Sequence, residues 1–144
     1  MRKTTLIIVS IILVILFVTI NSIWNKQAEI RSIQQKNKIY EYYLDKEIYG
    51  TEVVSLINKV INENEKNNVP KDAKGYYIDD EKTSIEIELN MITIEKTYPM
   101  EVIYNNDITK FVENFNLILF KCSNIEYHEK TGSVKKIIFE QLQK

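Results

Sequence analysis

No charged residue occurs between Thr4 and Asn25, a run of 22 residues. A helix of that length spans about 33 Å, enough to cross a hydrocarbon core of about 30 Å. Lipid offers the backbone no hydrogen-bond partner, so the segment must be helical despite its β-branched content. Its apolar surface comes from Leu6, Ile7, Ile8, Val9, Ile11, Ile12, Leu13, Val14, Ile15, Leu16, Phe17, Val18 and Ile20. Trp24 falls at the far edge, where an amphipathic ring prefers to lie. The rival reading is a cleaved signal peptide with Arg2 and Lys3 as its basic head. Against it, no pair of small residues sits two apart between Asn21 and Ala28. A buried core helix fits worse, because the rest of the chain is too small to cover a helix that is apolar all round. The expectation is a membrane anchor over residues 1–25, counting its short basic tail.

Arg2, Lys3 and the terminal amine concentrate positive charge before the span, which favours an N-terminus in the cytoplasm. The remainder then faces outward across the cell membrane. From Asn25 onward the chain has 17 basic and 20 acidic residues, net −3. Nucleic acid is excluded as a partner by this balance, since neutralising phosphates needs a basic surplus. The bilayer and other membrane or envelope proteins are the partners expected.

Residues 26–49 contain no Gly or Pro and read as a helical stem continuing the anchor. Ile23, Ile30, Asn37 and Leu44 recur every seven residues, with Ile33 and Tyr40 at the intervening offset. That is an a/d pattern with Asn37 at one a position. It supports either a short coiled coil, hence a homo-oligomer through the stem, or an amphipathic helix laid on its own domain. Gly50 reads as the stop of this rod, with Thr51 capping the next helix and Glu52 in its first turn. Val53, Leu56, Ile57, Val60 and Ile61 then mark an amphipathic helix over Thr51 to Glu63.

Asn62 to Lys74 is a polar connector, Tyr76 to Ile78 a short strand and Asp79 to Thr83 a turn. Ile85, Ile87 and Leu89 alternate with Glu86 and Glu88, as in a half-buried antiparallel strand. The alternation changes phase at Asn90, which requires a bulge or a tight reversal into another strand. Tyr98-Pro99 marks a bend at a sheet edge, and Met100 to Tyr104 fits strand or helical turn equally. Asp107 reads as the N-cap of a short helix with Ile108, Phe111, Val112 and Phe115 on one face. Leu117 to Tyr127 reads as a central strand, residues 129–132 as a hairpin loop and Ser133 to Glu140 as the last strand. Residues 50–144 therefore form a small α+β domain: a second amphipathic helix packed on a mostly antiparallel β-sheet.

Reactive chemistry is scarce. The single Cys122 and single His128 exclude a disulfide framework and a Cys/His zinc site. The three glycines form no Gly-x-Gly loop. Asp79, Asp80 and Glu81 lack the alternating ligand spacing of a calcium loop and read as a solvated turn. Glu86 and Glu88 read as the wet side of a strand, and Cys122 as a buried inert thiol. No catalytic, cofactor or metal residue is assigned. The nine tyrosines suit the rim of a small core or a binding surface; such a surface is expected around Tyr42, Tyr43, Tyr76 and Tyr77. The protein contacts expected are these four and the seam Ile30, Ile33, Asn37, Tyr40 and Leu44.

The order of parts — basic tail, apolar helix running into a stem, then an antiparallel sheet — resembles type IV pilin-like and pseudopilin subunits. The chain has no Gly before Gly50 and no acid before Glu29. It therefore lacks the Gly of the prepeptide cleavage site and the Glu five residues into the apolar run, and no family residue carries over. The resemblance implies a non-enzymatic envelope component of a minor pilin or secretion assembly. The heavy use of Ile, Lys and Asn matches an AT-rich bacterial coding sequence. The other class compatible with the sequence is an extracytoplasmic ligand-binding or sensing module.

Overall fold

The computed structural model describes residues 2–106 and 108–142. The chain divides into two units between Gln35 and Lys36. Helix α1 (Arg2–Glu41) runs through the first unit, and its last six residues belong to the second. In the first unit every apolar side chain from Leu6 to Trp24 is exposed. Four polar side chains, Ser10, Thr19, Asn21 and Ser22, interrupt this surface, and three of them bond to a carbonyl of their own helix. The Ser10 hydroxyl donates to Ile7 O, Thr19 to Leu16 O and the Asn21 amide to Phe17 O. Ser10, Thr19 and Asn21 thus meet their polar demand within the helix.

The second unit holds β1 (Glu47–Tyr49), α2 (Gly50–Lys66), β2 (Glu86–Met91), β3 (Lys96–Pro99), α3 (Met100–Asn105), α4 (Ile108–Phe115), β4 (Leu119–Tyr127) and β5 (Val134–Gln141). The five strands form one sheet in the order β1-β4-β5-β2-β3. Three pairings are antiparallel, and β2–β5 is parallel, with Ile87 opposite Ile137 and Leu89 opposite Phe139. The unit is α+β as expected, with a mixed sheet and two further short helices.

Helix α2 covers this sheet through the stripe read from its spacing. Val53, Ile57 and Val60 are fully buried, as are Ile87, Leu89, Phe120, Cys122, Ile137 and Phe139 of the sheet. Burying each such side chain stabilises the fold by about 1.5–3 kcal/mol before conformational entropy is counted. Asn64 ends the buried stripe, and its amide both donates to Ile85 O (2.7 Å) and accepts from Ile85 N (2.9 Å). This pair locks the end of α2 to the start of β2.

The expected stem is shorter than its helix-forming sequence. It ends at Glu41, turns through Asp45 at φ +59°, and becomes β1 on the sheet edge. Ile48 is buried there, opposite Phe120. Edge pairing outweighs a local preference worth only tenths of a kcal/mol per residue, about 0.7 at most. Gly50 opens α2 and is no helix stop; Tyr49 is the N-cap residue, and its N–H donates to Glu52 (3.0 Å). Helix α2 also extends three residues past Glu63 into the expected loop.

Elsewhere the reversal at Asn90 is real. A 3-10 turn (Ile92–Ile94) and left-handed Glu95 return the chain as β3. Pro99 ends that edge strand, and Met100 begins α3, which settles the undecided segment as helix. Tyr76 to Ile78 makes only an isolated bridge, Tyr77 with Lys71, and is not a named strand. Asp107 lies outside the described residues. Gly132 takes φ +70° in the β4–β5 hairpin, a conformation open to glycine at no steric cost.

Candidate functional site

An apolar cleft of about 210 Å³ lies between the end of β2, β3, α3 and α4. The local sequence builds it in three steps. Glu95 reverses the chain so that Tyr98 returns beside β2. Pro99, which has no N–H to donate, hands over to α3 and places Val102 and Ile103 on one wall. Helix α4 then supplies Phe111 and Phe115, whose rings stack 4.9 Å apart and tilted, with Phe111 6.1 Å from Phe120 of the core. Met91 and Ile94 complete the apolar lining. Helix α4 has its four apolar residues, Ile108, Phe111, Val112 and Phe115, on one stripe, yet all are only half-buried. Its apolar face is incompletely covered by the protein's own core. Lys110, Asn106 and Asn114 are the polar lining residues.

A polar junction joins the loop 79–84 to the β4–β5 hairpin. His128 is buried and its Nε2 lies 2.7 Å from Ser84 O. A carbonyl only accepts, so Nε2 carries the proton and Nδ1 faces Asp79, 3.6 Å from Oδ1. Asp79, Asp80 and His128 together have the composition of a metal site. The ligand atoms, however, already have partners. Asp80 Oδ1 accepts the backbone N–H of Lys82, Thr83 and Ser84, and Oδ2 accepts the Thr83 hydroxyl. Burial pushes the Asp80 carboxyl up, but these donors outweigh it and hold it well below the usual carboxylate range. Asp79 accepts from Glu81 N and Ser84 Oγ and pairs with Lys135 at 2.7 Å. The Lys135 ammonium is the main reason its carboxyl also sits low. Lys130–Glu81 and two hydrogen bonds from Thr131 and Ser133 to Lys82 O close the junction. The arrangement cross-links two loops and leaves little for an ion to bind. The turn was legible in the sequence; the burial of His128 beneath it was not, because 44 residues separate it from Ser84.

Three further groups of titratable side chains already have their surroundings fixed. The Cys122 thiol is buried and pushed up to about 11 by desolvation, far from a nucleophilic thiolate at neutral pH. Lys136 bridges Glu86 (3.2 Å) and Glu88 (3.0 Å) on the wet face of the sheet. Glu101 is buried and raised by desolvation, with Tyr77 N–H as a donor to it.

The expected contact residues separate into groups. Ile30 is exposed and Ile33 half-buried. Asn37 and Tyr40 are buried within the second unit. The Asn37 amide donates to Gly132 O (2.8 Å) and accepts from Val134 N (3.0 Å), while Tyr40 donates to Glu63 (2.7 Å), itself paired with Lys36. At these two positions the helix is therefore laid on its own domain. Leu44 is exposed beside β4. Tyr42 is exposed beneath the Lys46 ammonium and meets Tyr43 edge-on. Tyr76 and Tyr77 are half-buried at the other end of α2, where the Tyr77 hydroxyl donates to Ile61 O. The apolar cleft has none of these four tyrosines in its lining. Its one tyrosine is Tyr98, whose position beside a helix pair separated in sequence gave no signal. Comparison with protein families, with characterised proteins and with solved structures finds no match to this chain.

Proposed function

We propose that this chain is a single-pass membrane protein of the bacterial cell envelope. Its N-terminus lies in the cytoplasm, and its α+β unit acts outside, without catalysis, by contact with other envelope proteins. A minor pilin-like or secretion-assembly component is the role that fits this reading. The observation that carries it is the α1 surface from Leu6 to Trp24, apolar, uncovered and internally satisfied at Ser10, Thr19 and Asn21. Exposing that much apolar surface to water is unfavourable by roughly 25 cal/mol per Å², whereas lipid accepts it. A contact role for the second unit is supported by the character of its groups. The thiol is buried, the one imidazole is engaged, and the apolar cleft brings together no acid–base pair among its lining residues. The cleft also favours a second reading, a ligand-binding or sensing module.

Fractionation tests the anchor. The full-length protein should stay in the membrane pellet through alkaline carbonate, and protease added to spheroplasts should digest residues beyond Asn25. Val14→Arg should release a measurable share, since an Arg at mid-span costs about 2.5–3.5 kcal/mol on insertion scales. A mature chain that begins beyond Trp24 and remains in the soluble fraction would overturn the reading.

A further inference from the structure

We propose that the cleft between β3, α3 and α4 receives one bulky apolar side chain of a protein partner, presented beside a carboxylate that meets Lys110. This rests on the contact role above and names the chemistry of the partner. Size selects the occupant. At about 210 Å³ the cleft exceeds the roughly 150 Å³ apolar cavity that holds one benzene ring. It falls short of the about 300 Å³ at which pockets for drug-sized molecules begin. One Phe, Leu or Met side chain fits that interval, which is the form of an interface anchor in a desolvated pocket. The lining suits it: Phe111, Phe115 and Tyr98 contribute aromatic rings, and Met91 adds a side chain that adapts its shape. The half-buried stripe of α4 leaves further apolar area for the surrounding contact.

Charge selects what stands next to the anchor. Among the described residues, Lys110 is the one ionised side chain lining the cleft, and no described acid pairs with it. An incoming carboxylate would meet an ammonium at the edge of an apolar surface, where attraction exceeds that in open water. A lipid surface fits less well, because a concave apolar site does not protrude into a bilayer.

A photo-crosslinking residue at Asn106, on the cleft wall, tests this in the full-length protein in its own membrane, with Tyr42 as a second probe site. The expected adduct from Asn106 is a protein, and its cross-linked peptide carries a bulky apolar residue within two positions of Asp or Glu. Its yield should fall at least fivefold with Lys110→Glu, and equally with Val102→Trp, which fills the cleft. Both variants must retain the wild-type melting temperature, and Lys110→Gln serves if the charge reversal does not. In parallel, 3-phenylpropionate should shift the Met91 methyl resonance at least fivefold more tightly than 3-phenylpropylamine, with the order reversed by Lys110→Glu. Adducts to lipid or to a second copy of this chain would overturn the proposal, as would a protein adduct indifferent to both variants. Protein adducts from Tyr42 with none from Asn106 would refute the cleft and keep the contact role. No protein adduct from either site would refute both.

Discussion

Consider Asn37→Leu in the full-length chain. The Asn37 side chain is buried, accepts from Val134 N–H and donates to the Gly132 carbonyl. Leu removes both bonds and keeps the same branched set of side-chain heavy atoms. Val134 is 1% exposed, so its N–H has no access to water and bears the desolvation penalty. An orphaned buried donor costs about 1–3 kcal/mol, and a lost bond to a group that can rehydrate about 0.5–1.5, giving roughly 2–4 kcal/mol in total. For a domain of this size 1 kcal/mol shifts the melting temperature by about 4–8 °C, so a fall of roughly 10–30 °C is expected. Near-ultraviolet circular dichroism in detergent reports the transition, and light scattering reports the mass of the particle. A coiled coil with Asn37 in its seam demands the opposite sign, because Leu at an a position strengthens the coil and relaxes its register. A melting temperature unchanged within about 2 °C, or raised together with a larger particle, would refute the intramolecular account.

Gly50→Ala should destabilise the fold by about 1–3 kcal/mol, read as a lower urea midpoint, because overpacked backbone has no side chain to move aside. A Cβ there would run into the Phe115 carbonyl oxygen, so α2 and α4 must separate; an unaltered midpoint would refute that close approach. Acid should weaken the fold through Asp80. Its folded carboxyl titrates below the unfolded one, so its contribution is full above about pH 4, the unfolded value, and is lost as pH falls toward the folded one. Between pH 5 and 3 the urea midpoint should therefore drop less in Asp80→Asn than in wild type, with Asp79 and Glu63 supplying the residual slope. Equal slopes would refute the role of Asp80.

The apolar run from Leu6 to Trp24 was legible because a membrane-length helix is a property of contiguous composition, independent of what surrounds it. The stripe of α2, the alternation of β2, the β4–β5 hairpin and the short helix from Ile108 to Phe115 were legible for a related reason: each repeats with its own period. Tertiary structure decided what period cannot carry. The segment after Glu41 has helix-forming residues, yet sheet pairing to residues 119–121 makes part of it a strand. Strand β2 joins β5 in parallel across 50 residues, a pairing no local pattern encodes. Asn37 fits an interchain seam equally well until Val134 and Gly132 arrive from 95 or more residues away. The cleft follows the same rule, since Met91, Tyr98, Val102 and Phe111 become a pocket only where four elements meet. Local interactions act over a few residues, so the sequence determined the long apolar helix and most of the element types. The partners of each buried polar group, and the shape left between elements, are set by packing between segments far apart along the chain.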